Sequence, residues 1–164
     1  MRILGIDPGF EKMGCAVLDK SNGKEKLVYS VCLVSDKKLP YEQRLLFLGK
    51  KLEKIISKYS PDIMIIEKLF FSKNQKTGIR VAESRGVAIY LASVQKIPVT
   101  ELTPLQIKSA VTGYGKAEKK QVEKMIKAIL KIPIMPKSDD EIDAIAAAIA
   151  CPLKLNYKDI HSEF

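Results

Sequence analysis

An α/β layered fold, with a five-stranded mixed sheet flanked by helices, is the architecture this sequence predicts. Three observations carry it. The apolar patterns run in the order βββαβαβα(α)α, with three strands ahead of the first helix and alternation afterwards. Arg2–Ile6 and Asp62–Ile66 are short and nearly all apolar, as expected of strands buried on both faces. Tyr41–Tyr59 repeats Leu45, Leu48, Leu52, Ile55, Ile56 and Tyr59 at helical spacing, with Lys50, Lys51, Lys54 and Lys58 between them.

The elements follow in chain order. Arg2–Ile6, Gly14–Leu18 and Lys26–Leu33 form an antiparallel meander, the last two joined by the turn-rich "DKSNGK". Ser60-Pro61 ends the first helix, and the strand Asp62–Ile66 follows. After the stretch "KLFFSKNQKTG", a second long helix covers Ile79–Lys96, and Pro98–Leu102 is the fifth strand. Thr103-Pro104 has the chemistry of an N-cap with proline at the first helical position, opening a short helix that ends near Gly113. "GYGKAEKK" is a basic loop punctuated by glycine. Lys119–Ile132 is a helix with Val122, Met125, Ile126 and Ile129 on one face, broken by "PIMPK". The last helix runs from about Asp139 to Cys151. One domain over residues 1–152 and a loosely packed tail over 153–164 complete the division.

Composition narrows the function classes. No apolar run reaches the roughly 20 residues of a membrane span, and Asp7-Pro8 interrupts the first apolar stretch too early for a signal peptide. A cytoplasmic protein is expected. Cys15, Cys32 and Cys151 lie in apolar segments without a CxxC pair, as buried free thiols. One histidine, His161, gives a zinc site or a histidine-based triad little to be built from. Lys and Arg number 28 against 19 acids, a formal charge of +9 that attracts polyanions such as nucleic acid.

The acids are more telling. Asp7 and Glu67 each end an apolar strand, where α/β sheets open their functional crevice. Taken singly, Asp7 also suits a turn in Asp-Pro-Gly, and Glu67 an ordinary strand end. In "SDDEIDAIAAAIA", Ser138 and Glu141 have capping-box spacing, and Asp139 sits in the dipole-favoured first turn. Asp140 also suits that turn, but shares a face with Asp143, which lies beyond the cap among Ala and Ile. The alanines would let this helix approach the sheet and bring its acids to Asp7 and Glu67. Clustered carboxylates repel unless a cation lies between them, and hard divalent cations take oxygen ligands. Asp7, Glu67, Asp140 and Asp143 therefore suggest a two-metal site for phosphodiester cleavage.

"GIDPG", "IEKLFFSKN", "RGVAIYLA", "TPLQIKSAVTGYGKAEKKQV" and "DDEIDAIAAAIA" occur in an order and spacing similar to those of RuvC-type Holliday junction resolvases, from Arg2 to about Cys151. The resemblance implies an RNase H-like fold and a homodimeric, Mg²⁺-dependent endonuclease with two ions per site, Mn²⁺ able to substitute. It implies paired symmetric nicks in four-way DNA junctions during recombination and repair, alongside a RuvA–RuvB branch-migration complex. Its catalytic and metal-binding carboxylates match Asp7, Glu67, Asp140 and Asp143, the D-x-x-D spacing selecting Asp140 over Asp139. Phe70 matches an aromatic that stacks on a junction base, with Phe71 assigned inward. Lys108 and Lys119 match basic residues near the scissile phosphate. Lys116 and Lys120 suit generic phosphate contacts, and Lys73, Lys76 and Arg80 could line the DNA path. The second long helix matches the family's dimer helix, with Gly86 and Ala88 for close approach and Val87, Tyr90, Leu91 and Val94 for apolar contact; some of these must serve the protomer's own core.

Other functions stay open at this stage. A different RNase H-like nuclease, acting on RNA or an RNA–DNA hybrid, also fits the four acids, although the "TGYG" loop and the Phe70 segment argue for the junction enzyme. A non-catalytic junction binder fits the charge but not the acids, which only repel DNA unless they hold metal. An actin-like nucleotide-binding domain would need a second lobe and a second phosphate loop, which the sequence lacks.

Overall fold

The computed structural model describes residues 1–21, 23–69 and 75–152, the side chains of residues 75 and 76 excepted. Its element order is β1 (Arg2–Asp7), β2 (Lys12–Ser21), β3 (Lys24–Val34), α1 (Tyr41–Tyr59), β4 (Ile63–Glu67), α2 (Gln75–Val94), β5 (Val99–Leu102), α3 (Pro104–Thr112), α4 (Lys119–Leu130) and α5 (Asp139–Ile149). The five strands form one mixed sheet in the order β3-β2-β1-β4-β5. β1 pairs antiparallel with β2, and β2 with β3. β1 pairs parallel with β4, and β4 with β5.

The hairpin is longer than its apolar segments suggest. Polar residues continue the ladder, with Asp19 opposite Lys26 and Lys20 opposite Glu25. Lys20 and Glu25 form an ion pair at 2.9 Å, the kind of cross-strand pair that lets charged residues extend a sheet. The turn predicted over "DKSNGK" shrinks to its tip, where Gly23 takes a positive φ of 72°. α2 starts before the predicted Ile79, through the polar Gln75–Gly78 turn, and stops at Val94 rather than Lys96. α3 has a full capping box: the Gln106 amide donates to Thr103 Oγ1, and the Thr103 amide to Gln106 Oε1.

Two apolar layers sandwich the sheet. On one face, Ile3, Ile63, Ile65, Ala16 and Leu18 pack against α3, α4 and α5. On the other, Leu4, Ile6, Cys15, Val17, Met64 and Ile66 meet Leu48, Leu52 and Ile56 of α1 and Ala88 and Ala92 of α2. The alternation along β1 and β4 thus sends successive side chains to opposite layers. In α4 the buried stripe is Val122, Ile126 and Leu130. Met125, expected on that stripe, is exposed, because the i, i+4, i+8 row is enough to cover the facing groove. α5 ends at Ile149, before Cys151, with Ala144, Ile145, Ala146, Ala147 and Ala148 all buried. Cys15 and Cys151 are buried, whereas Cys32 is only half-buried. Among the described residues, no helix is long and apolar enough to cross a membrane.

Candidate active site

Asp7 and Glu67 are the last residues of β1 and β4. These strands are parallel neighbours, with Ile6 opposite Ile66, so the two carboxylates end adjacent strands on the same edge of the sheet. Their positions follow from the pattern before them: each strand is buried to its penultimate residue and becomes half-buried at the acid.

Asp140 and Asp143 arrive from α5, and two glycines of the sheet admit that helix. A Cβ on Gly5 would collide with the Ala144 carbonyl, and one on Gly14 with the Asp140 carbonyl. The alanine-rich face of α5 and the bare backbone of β1 and β2 thus meet without side chains between them. Gly14 lies opposite Asp7 in the β1–β2 register, so this close approach delivers Asp140 beside Asp7.

The first turn of α5 differs from the expected capping box. Ser138 is the N-cap residue but makes no side-chain cap. Its hydroxyl donates instead to Asp140 Oδ2 at 3.1 Å, and Cys32 Sγ lies 3.8 Å from the same oxygen. Glu141 accepts a hydrogen bond from Ser30 Oγ of β3 at 2.6 Å. Tertiary partners have replaced the local ones, and α5 is tied to the edge of the sheet by the acid that sequence assigned to its cap.

The carboxylates act on one another. Burial first, then Glu67, Asp143 and Asp140, push the Asp7 carboxyl up to about 8. Burial and Asp143 raise Glu67, against the pull of Lys108. Burial also raises Asp143, against Lys119 and Lys108. Lys108 and Lys119 line one pocket with Glu67 and Asp143, over a floor of Ile107, Val122, Ile142 and Ala146. Lys119 is held at 2.6 Å by Asp139, which gives that first-turn acid a second use. A neighbouring cleft joins Asp7 and Asp140 with Pro8, Gly9, Phe10, Lys12 and Thr77.

Among the described residues, no three Asp, Glu, His or Cys side chains converge tightly enough to cage one ion. The donor chemistry nevertheless suits a hard divalent cation. Four carboxylates from three elements line two clefts, and burial followed by their mutual repulsion raises Asp7.

The remaining candidates divide. Lys116 and Lys120 are exposed near the α3–α4 loop. Arg80 stacks on Phe10 at 5.4 Å and on Tyr41 at 5.0 Å, beside the β1–β2 turn. Ala88 is fully buried in the protomer core and is not available for close approach of a second copy, whereas Gly86, Tyr90 and Val94 are exposed on α2. Phe70, Phe71 and Lys73, the side chain of Lys76, and the tail 153–164 lie outside the described residues. Sequence reading passed over Gly5, Gly14, Lys12 and Cys32. The two glycines stand out only once the facing helix is known.

The model of the family "Crossover junction endodeoxyribonuclease RuvC" matches residues 3–151. The chain is 46% identical over 149 residues to the crossover junction endodeoxyribonuclease RuvC of Desulforamulus reducens, covering 91% of both chains. It is 43% identical over 148 residues to that of Thermosipho melanesiensis, covering 90% of this chain and 94% of the relative. Among solved structures, RuvC of T. thermophilus in complex with a Holliday junction substrate superposes with a TM-score of 0.87 at 26% identity, covering 92% of each chain. The yeast mitochondrial Holliday junction resolvase shares the fold, with a TM-score of 0.65 at 14% identity over 91% of this chain and 76% of the other.

Proposed function

Because the chain belongs to the RuvC family of crossover junction endodeoxyribonucleases, we propose that it resolves four-way DNA junctions by paired symmetric nicks, using Asp7, Glu67, Asp140 and Asp143 as metal ligands. The observation that carries this reading is the convergence of four half-buried carboxylates, from the ends of β1 and β4 and the first turns of α5, on one edge of the sheet. Such a cluster works against its own charge unless a cation is the intended partner. All-oxygen donors favour Mg²⁺, with Mn²⁺ as a substitute, and four acids around two clefts suit two ions. When bound, the ions would supply activation of an attacking water and stabilisation of the leaving oxygen.

The chain's own groups do the rest. Asp7, at the end of the central strand between Glu67 and the α5 pair, would hold metal together with those acids. Lys108 and Lys119 face the Glu67–Asp143 side, where they would offset charge on the scissile phosphate. The Asp139 ion pair fixes where Lys119 points. Lys116, Lys120, Lys73 and Arg80 would hold flanking phosphates, and Phe70 would stack on a base at the crossover. The family resemblance supplies the homodimer, the nicks with 5′-phosphate and 3′-hydroxyl ends, and the RuvA–RuvB complex as partner.

The test is cleavage of an end-labelled synthetic four-way junction in Mg²⁺, with linear duplex and RNA–DNA hybrid as competitors. Symmetric paired nicks in the junction alone are expected. Degradation of the hybrid with an intact junction would keep the four-acid site and replace the substrate.

A further inference from the structure

Two consecutive residues of α2 hold the backbone at the ends of the two acid-bearing strands. Ser84 is 1% exposed, and its hydroxyl donates to the Gly9 carbonyl at 2.9 Å, two residues beyond Asp7. Arg85 is next in sequence. Its Nε donates to the carbonyl of Glu67 itself at 3.3 Å. Its Nη2 sits 2.6 Å from Glu101 Oε1 on β5 as an ion pair, with 16% of the side chain exposed. Glu101 is the register partner of Ile66, so Arg85 spans the ends of β4 and β5.

We infer that Ser84 and Arg85 are positioning residues: a clamp, delivered by one helix, that holds the chain where it leaves the sheet at Asp7 and Glu67. The inference rests on the reading of these acids as metal ligands. The β1–β4 ladder pairs the strands as far as Ile6 and Ile66, and the clamp takes over at the acids and the turn beyond them. Lys68 continues the β4–β5 ladder by donating to Leu102, which fixes β4 to β5 but not β4 to the turn after β1. Ser35 holds Phe10 and Glu11 farther along that turn. Among the described residues, the side chains that reach the backbone carbonyls of Gly9 and Glu67 both come from α2. Groups that orient metal ligands from behind usually matter for affinity by about 10- to 100-fold when removed. A buried serine and a half-buried arginine on carbonyls at a strand edge would otherwise be an expensive way to dock a helix.

The experiment is calorimetric titration of the full chain with Mn²⁺ alone, without DNA, for wild type, Ser84→Ala, Arg85→Ala, Arg85→Lys and Glu101→Gln. Unfolding transitions and sedimentation are followed on the same samples. Ser84→Ala and Arg85→Ala are expected to weaken Mn²⁺ binding about 10- to 100-fold. Arg85→Lys should recover much of this, because a lysine amine can still donate to the Glu67 carbonyl. Glu101→Gln should have the smallest effect, because it leaves the Arg85–Glu67 bond in place. Should Arg85→Ala not fold, Ser84→Ala carries the test, since it removes only the hydroxyl. Folded Ser84→Ala or Arg85→Ala proteins that bind Mn²⁺ as wild type does would overturn the clamp while leaving the metal site. A wild type that binds no Mn²⁺ would overturn both. A wild type that binds Mn²⁺ yet leaves junctions uncut would remove the substrate reading and leave the clamp standing.

Discussion

Asp7 joins strand end, burial and mutual repulsion in one side chain. Its carboxyl stands at about 8 in the folded chain, against an ordinary value of 3.8. The protonated form therefore favours folding, so its contribution is complete below about pH 4 and is lost as pH rises through about 8. Without divalent cation, stability should fall over that window, as followed by thermal unfolding. Asp7→Asn removes the charge that causes the loss. It should raise the metal-free melting temperature at pH 8.5, each kcal/mol recovered being worth about 2–4 °C for a chain of this size. The same substitution should abolish cleavage while junction binding persists in a mobility-shift assay. A fully active Asp7→Asn protein would remove the two-metal scheme. The sequence places Asp7 and Glu67 at strand ends because the apolar runs stop there. The hydroxyl on Asp140 and the lysine held by Asp139 were not legible, because their partners are chosen by packing.

At the scale of elements, α5 and the β1–β2 edge form one unit. Nothing in "DDEIDAIAAAIA" says which strand the alanines will face; Gly5 and Gly14 answer it by admitting the helix backbone. Gly14→Ala must push the Asp140 carbonyl away. It should cost about 1–3 kcal/mol in urea unfolding, the range for overpacking, and should lower cleavage more than junction binding. A Gly14→Ala enzyme with wild-type turnover would show that α5 can shift without moving its acids. The predicted capping box failed here for a related reason. A local Ser138–Glu141 arrangement competes with Ser30 on β3, and the tertiary partner wins.

For the whole molecule, charge and the exposed apolar side chains of α2 are the features to test. Ile79, Tyr90 and Val94 are more than half exposed on that helix. Such side chains on one element suit a symmetric contact with a second copy. Tyr90→Glu should leave protomer stability within about 0.5 kcal/mol, as for most surface changes, yet shift sedimentation toward monomer and turn paired nicks into single ones. An unchanged dimer would remove Tyr90 from the interface. With a formal charge of +9, junction affinity should fall steeply with salt. Lys116→Ala and Lys120→Ala should each make the log–log salt slope shallower by about 1 if they touch phosphate, and leave it unchanged if they do not.

The sequence by itself determined the element order, the five strands and the candidate acids. These follow from local periodicity, and from apolar runs long enough to commit a segment before it packs. It also carried the family motifs, whose residues are fixed in number and order along the chain. Only the tertiary structure decided that Gly5 and Gly14 admit α5, that Ala88 faces the protomer core, that Met125 is exposed, and that Ser84 and Arg85 reach Gly9 and Glu67. Each of these depends on what lies across a gap of a few ångströms between elements far apart in sequence. A residue's own neighbours in the chain carry no record of that distance.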